Sequence, residues 1–233
     1  MNSRKATARQ AGILYFLFML IAIYGEFLLP NALVPGDAAA TSSNITRGEF
    51  TYRMGILVGL ATHVIFLFLV VVLYKLFEDV NKSQALLMVV LVSVGVAVAL
   101  ANMLNRFAPL QILSGEDYLS AFTREQLDAL TMSSLRFRSS GSVVPTAFWG
   151  FWLFPFGLLV MKSGFIPRLF GILLLVAGTA YVVGSATAII LPEHRQLVSK
   201  ILMPFYLGEV PVVFWLLLKG AKESHPAAGF QAA

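Results

Sequence analysis

Six long apolar stretches, at residues 10–29, 53–77, 84–105, 141–161, 166–191 and 197–218, leave this chain few ways to fold. Each is about 20 residues or longer, enough at ~1.5 Å of helical rise per residue to cross a hydrocarbon layer of about 30 Å. Of the 233 residues 58% are apolar and 12% are charged, against roughly 45–50% and 25% in ordinary soluble domains. A short water-soluble domain could not hide that much apolar surface, so lipid is the expected solvent. Inside lipid each segment must satisfy its own backbone groups, which leaves helices or a closed barrel. A barrel would alternate in polarity over stretches of about ten residues, and no such stretches occur. The expected fold class is all-α: a polytopic membrane protein with a six-transmembrane-helix bundle. Residues 1–220 are expected to form one domain and 221–233 a short flexible tail.

The first stretch follows Arg4, Lys5 and Arg9 and precedes three alanines, Ala38 to Ala40, much as in a signal peptide. Its apolar run exceeds the usual 7–15 residues and the alanines lie well past its end, so it reads as a span. The 17 Lys and Arg residues divide almost evenly between the two sides of the membrane. Several of those on the outer side fall in the long connection 106–140, where charge counts for less. With the tight loops 74–83 and 162–167 inside, both termini are expected to be cytoplasmic. The basic residues are scattered over loop ends, so a pI of about 9.6 reflects topology and not nucleic-acid binding.

Two outer connections differ in character. In 106–140, residues 117–122 read as a short helical turn, and Thr123-Arg124-Glu125-Gln126 reads as a capping box. An extra amphipathic helix follows, with Leu127, Leu130, Thr131, Ser134 and Leu135 on one face, running into the fourth span as one rod. Residues 31–52 are small and polar and are expected to be irregular.

Polar and ionisable side chains are costly in a bilayer and mark candidate sites. Those expected to line a binding cavity are Glu209, His63, Glu26, Asn102, Asn105 and Arg106, all at mid-depth or in the outer half. Glu209 lies between Pro204 and Pro211 and beside Gly208. A proline removes a backbone donor and clashes with the carbonyl four residues back, so the carbonyls of Lys200 and Leu207 are freed and the helix breaks. A carboxylate at such a break suits a cavity wall. The alternative is a kinked helix with Glu209 neutral, or paired with Arg106 or His63. His63 shares a face with Gly55 and Gly59, so it should meet another helix. It reads as a hydrogen-bonded core histidine, a substrate or proton group, or a metal or haem ligand. Asn102 and Arg106 share a face with Gly95 and Ala99, and Asn105 lies one turn from Asn102. Trp149 and Trp152 sit deep in the fourth span, as core packing or as an aromatic pocket. Gly171, Gly178, Gly184 and Ser185 make the fifth span a close-packing element.

Several chemistries are excluded. The chain has no cysteine, hence no disulfide, thiolate ligand or thiol nucleophile. It lacks the GxSxG, HExxH and phosphate-loop patterns and has no mid-span lysine. His194 and His225 are too sparse to complete a ligand set with His63, so no metal and no cofactor are expected, and catalytic residues are not assigned.

The run Ala147-Phe148-Trp149-Gly150-Phe151-Trp152-Leu153-Phe154-Pro155, the run Ser163-Gly164-Phe165-Ile166-Pro167-Arg168-Leu169-Phe170-Gly171, and Gly208-Glu209 ahead of Trp215-Leu216-Leu217 resemble one family. It is the uncharacterised family numbered 4386 among domains of unknown function, and the resemblance runs from about Arg9 to Gly220. Arg138 departs from the family pattern, which often has histidine there. The resemblance implies a bacterial multi-pass protein of the plasma membrane and carries no activity with it. Three functions are compatible with the sequence. One is small-molecule or lipid binding, transport-like, through a cavity in the outer half of the bilayer. The second is a structural or regulatory subunit docking a partner membrane protein or a second copy. The third is an intramembrane enzyme acting on a lipid or isoprenoid. Membrane lipids are expected partners in each, and nucleic acid in none.

Overall fold

The computed structural model describes residues 3–25 and 32–221, which are helical apart from short connections. Ser3 opens α1 (Arg4–Ile23) by accepting the Ala6 N–H on its Oγ at 3.2 Å. The 31–52 connection departs from the irregular loop expected of it. Among its described residues, Ala38–Arg47 form a helix, α2. Asp37 caps it, with Oδ1 accepting the Ala40 N–H at 2.8 Å, and the alanines that resemble a cleavage site are good helix formers in its first turn.

Next comes α3 (Glu49–Ile112), 64 residues unbroken except at Asn81, whose φ of −163° and ψ of 103° are not helical. Asn81 Oδ1 accepts the Gln84 N–H at 2.9 Å and so caps the second arm. The two arms fold back on each other. The Tyr52 hydroxyl donates to the Arg106 carbonyl at 2.9 Å, and Arg106 Nη1 donates to the Gly55 carbonyl at 3.1 Å. In a straight helix those residues would lie more than about 75 Å apart. The hairpin closes tightly because a Cβ at Gly59 would sit 3.2 Å from Met103 Cε.

A short 3₁₀ turn, Asp117–Ala121, leads to α4 (Arg124–Gly141). The capping box is formed: Gln126 N–H donates to Thr123 Oγ1 at 3.3 Å and Thr123 N–H donates to Gln126 Oε1 at 2.8 Å. The buried face of α4 holds Asp128, Thr131, Met132, Ser134 and Leu135. Leu130, expected on that face, is 43% exposed. α4 packs on α2 and α3, and small hydroxyls fit between such closely set helices better than a second leucine. From there the chain continues through α5 (Val143–Phe151) and α6 (Leu153–Ser163), turns at Gly164 and Pro167, and returns as α7 (Arg168–Ile190). Gly150 faces Gly178 and Gly157 faces Gly171. A Cβ at Gly150 or Gly157 would lie 2.7 or 2.8 Å from the opposing carbonyl oxygen, so only glycine allows this approach.

The last span is broken as the two prolines require. It comprises α8 (Arg195–Tyr206), a 3₁₀ turn at Leu207–Glu209, and α9 (Val210–Leu218). Among the described residues five helical stretches are long and apolar enough to cross a membrane, the longest being the α3 hairpin. Their outward faces are apolar, with Leu57, Phe68, Ile172 and Leu197 all exposed, as suits a protein solvated by lipid. The core is aromatic. Trp152, 1% exposed, stacks on Phe156 at 5.2 Å and meets Phe66 edge-on at 5.2 Å and Tyr15 at 6.1 Å. Trp152 therefore serves packing. One end of the bundle gathers the start of α1, the α3 bend and the α6–α7 turn, where Arg4 pairs with Asp79 at 3.9 Å and lies 5.2 Å from the Phe165 ring. The opposite end carries Arg106, α2 and α4.

Candidate functional site

The break between α8 and α9 turns Glu209 inward. Its carboxylate accepts the hydroxyl of Tyr15 from α1 and interacts with that of Tyr181 from α7. The partners of Glu209 are thus tyrosines, and not the Arg106 or His63 that sequence alone suggests. Tyr181 in turn stacks on Tyr206 of α8, with centroids 4.6 Å apart. A Cβ at Gly184 would lie 2.7 Å from the Tyr206 hydroxyl, so glycine there lets the ring lie against α7. Gly208, two residues past Tyr206, likewise allows close approach to α7, where a Cβ would come 2.5 Å from the Leu173 carbonyl oxygen.

His63, Asn102, Asn105 and Arg106 form a separate group near the α4 end. His63 Nδ1 donates to the Gly59 carbonyl at 2.6 Å. Since a carbonyl can only accept, this contact fixes the proton on Nδ1. Arg106 spans the glycine face of the first α3 arm, donating to Gly55 and passing close to Gly59. Asn102 Nδ2 donates to the Arg138 carbonyl at 2.9 Å, and Asn105 Nδ2 donates to Asn102 Oδ1 at 3.1 Å. Gly141 of α4 packs directly on the Asn102 amide. Most of these bonds end on main-chain carbonyls, so they tie the α3 arms to each other and to α4. A run of ring contacts, Tyr15–Trp152–Phe66–Trp149–His63, leads from one group to the other. Glu26 lies outside the described residues.

Beside the Glu209 group lies a cleft of about 220 Å³ between α5, α7 and α8. Tyr181 and Tyr206 form part of its wall, Ser142 and Thr146 come from the start of α5, Ser185 from α7, and Arg195 and Ser199 from α8. It exists because α8 packs chiefly on α7 and buries none of its own residues, so nothing closes the gap toward α5. Ser185 is 4% exposed and its Oγ has no hydrogen-bond partner among the described residues. Of the residues singled out from sequence, Ser185 lines this cleft and Glu209 stands behind it. Tyr15, Tyr181, Tyr206 and Arg195 were not singled out. The available signal was three phenol hydroxyls within apolar spans, each of which needs a polar partner.

A family model described as a domain of unknown function, DUF4386, matches residues 10–220. An uncharacterized protein of Archaeoglobus fulgidus is 38% identical over 77 residues, covering 33% of this chain and 44% of that protein. The chain thus spans less than half the length of that relative. No solved structure matches. With nearly the whole described bundle inside the match, the chain is an integral membrane protein belonging to the DUF4386 family.

Proposed function

We propose that this protein binds a small molecule or lipid in the α5–α7–α8 cleft, as a membrane receptor or transport-like protein. In this reading the two α3 arms are separate spans, giving six crossings in a plasma membrane, with both termini cytoplasmic and the cleft in the outer half. The observation that carries it is Ser185 Oγ, a buried hydroxyl with no partner among the described residues, on the wall of an open cleft. A buried polar atom left unpaired costs about 1–3 kcal/mol, a cost that a bound ligand removes. Glu209 supports the site from behind: it holds Tyr181, and Tyr181 holds Tyr206 across the cleft wall. The hydrogen bonds of Arg106, Asn102 and His63 to main-chain carbonyls favour a packing role for that group.

Native mass spectrometry of protein extracted in mild detergent tests the proposal. Ala188 lines the cleft, and Ala188→Phe fills it. A defined adduct on the wild type should vanish in Ala188→Phe and weaken in Glu209→Gln. A bare wild-type spectrum, or the same adduct in Ala188→Phe, sinks the proposal.

A further inference from the structure

We propose that the cleft takes the phosphate head group of an anionic phospholipid, admitted sideways from the membrane. This rests on reading the cleft as a ligand site and adds the class of ligand.

The charge of the lining is one-sided. Among the described residues Arg195 is its only charged one, and no carboxylate lines it. Among the described residues Arg195 makes no salt bridge. The lining hydroxyls of Ser142, Thr146 and Ser185 divide into two kinds. Ser142 Oγ donates to the Ser139 carbonyl at 2.7 Å and Thr146 Oγ1 donates to the Ser142 carbonyl at 2.8 Å. Both protons are therefore used within the helix. Ser185 has no partner among the described residues, so its proton is available to an acceptor. A guanidinium with a free hydroxyl donor, in a lining without acid, selects an oxyanion over a cation or a neutral ligand.

Position selects a lipid over a free anion. Arg195 and Tyr206 bound α8, and eleven residues of helix place them about 16 Å apart along the axis. That is about half of a hydrocarbon layer of ~30 Å, so with Arg195 at the membrane surface the cleft would reach mid-depth. Its α8 wall buries no residue, and Leu197 and Ile201 of α8 and Ile189 and Ile190 of α7 are exposed. An aqueous anion would gain nothing from these side chains, whereas acyl chains would lie along them. The volume of about 220 Å³ equals that of roughly seven waters. It suits a head group and leaves the chains outside, against α8.

The test is binding of three probes to the purified full-length protein in mild detergent: dioctanoyl phosphatidylglycerol, dioctanoyl phosphatidylcholine and inorganic phosphate. The chains of the two lipids are the same, so their difference reports the head group. Phosphatidylglycerol should bind at least about tenfold more tightly than phosphatidylcholine, and inorganic phosphate should not displace it. Arg195→Gln should remove that tenfold preference with unchanged melting, since Arg195 is exposed. Lys200→Gln, on the same helix but not in the cleft, should leave it intact. Equal affinity for both lipids overturns the inference, as does equal loss in the two variants. Full displacement by inorganic phosphate overturns the lipid assignment. If a ligand lost in Ala188→Phe remains indifferent to head-group charge, the cleft is a site and only this inference fails.

Discussion

The Tyr15–Glu209 contact gives the sharpest test of how the bundle is held. Tyr15 is 2% exposed and its hydroxyl donates to Glu209 across the α1–α9 boundary. Phenylalanine at 15 leaves the carboxyl short of one partner, while leucine at 209 leaves the Tyr15 hydroxyl with none. Glu209→Leu should cost about 1–3 kcal/mol, because the buried Tyr15 hydroxyl stays behind unpaired, and Tyr15→Phe should cost less, because the carboxyl keeps Tyr181. Replacing both partners by apolar groups of similar shape should cost clearly less than the sum. Interhelical hydrogen bonds in membrane proteins average about 0.6 kcal/mol of coupling and reach about 1.7, since the unfolded chain in lipid also finds partners. With one member nearly fully buried and the other a carboxyl group, the expected coupling is about 1 kcal/mol or more. Tyr15→Phe, Glu209→Leu and the double variant would be unfolded in mixed micelles by rising dodecyl sulfate and followed by tryptophan fluorescence. Trp152 reports directly, its ring centroid being 6.1 Å from that of Tyr15. Additivity within about 0.3 kcal/mol would refute the reasoning and leave the contact without energetic weight.

Two further predictions concern packing and capping. A Cβ at Gly12 would lie 2.6 Å from main-chain atoms of Leu216 and Leu217 in α9. Gly12→Ala should therefore push α1 off α9 and cost about 1–3 kcal/mol in the same assay, and a neutral result would show that the helices are not in contact there. Thr123→Ala removes the N-cap of α4 and should cost about 1 kcal/mol of local stability. It should appear as faster hydrogen exchange at the amides of 124–127, with the Trp152 core unchanged, and unaltered exchange would count against the capping box.

What could be read from the sequence follows from which forces are local. The helical, apolar character of the spans, the capping box at Thr123 and the break around Glu209 depend on hydropathy and on backbone chemistry within a few residues, and each is present in the structure. The helix at Ala38–Arg47 was equally local, since Asp37 ahead of three alanines is a cap-and-first-turn signal that the small, polar composition obscured. Which polar groups meet was not legible, because periodicity assigns a face but not the helix opposite it. Tyr15 and Glu209 are separated by 194 positions, and nothing local to either points to the other. The Leu130 expectation failed for a related reason: its helix buries hydroxyls and Asp128 against α2 and α3, so hydrophobicity was the wrong guide to the buried face.

The two polar groups also differ in what they can transmit. Bonds from Asn102, Arg106 and His63 end on main-chain carbonyls; those of Asn102 and Arg106 cross between helices, and a change at either acts on helix placement. The other group is a series of side chains: Tyr15 to Glu209, Glu209 to Tyr181, and Tyr181 to the Tyr206 ring in the cleft wall. Because α8 buries no residue of its own, that stack and its packing on α7 do much to fix its position. A ligand that shifts Tyr206 would therefore act on Glu209 through Tyr181, and from there on the α1–α9 contact at Tyr15. This is why a half-buried carboxylate at a helix break can matter to a cleft that it does not itself line.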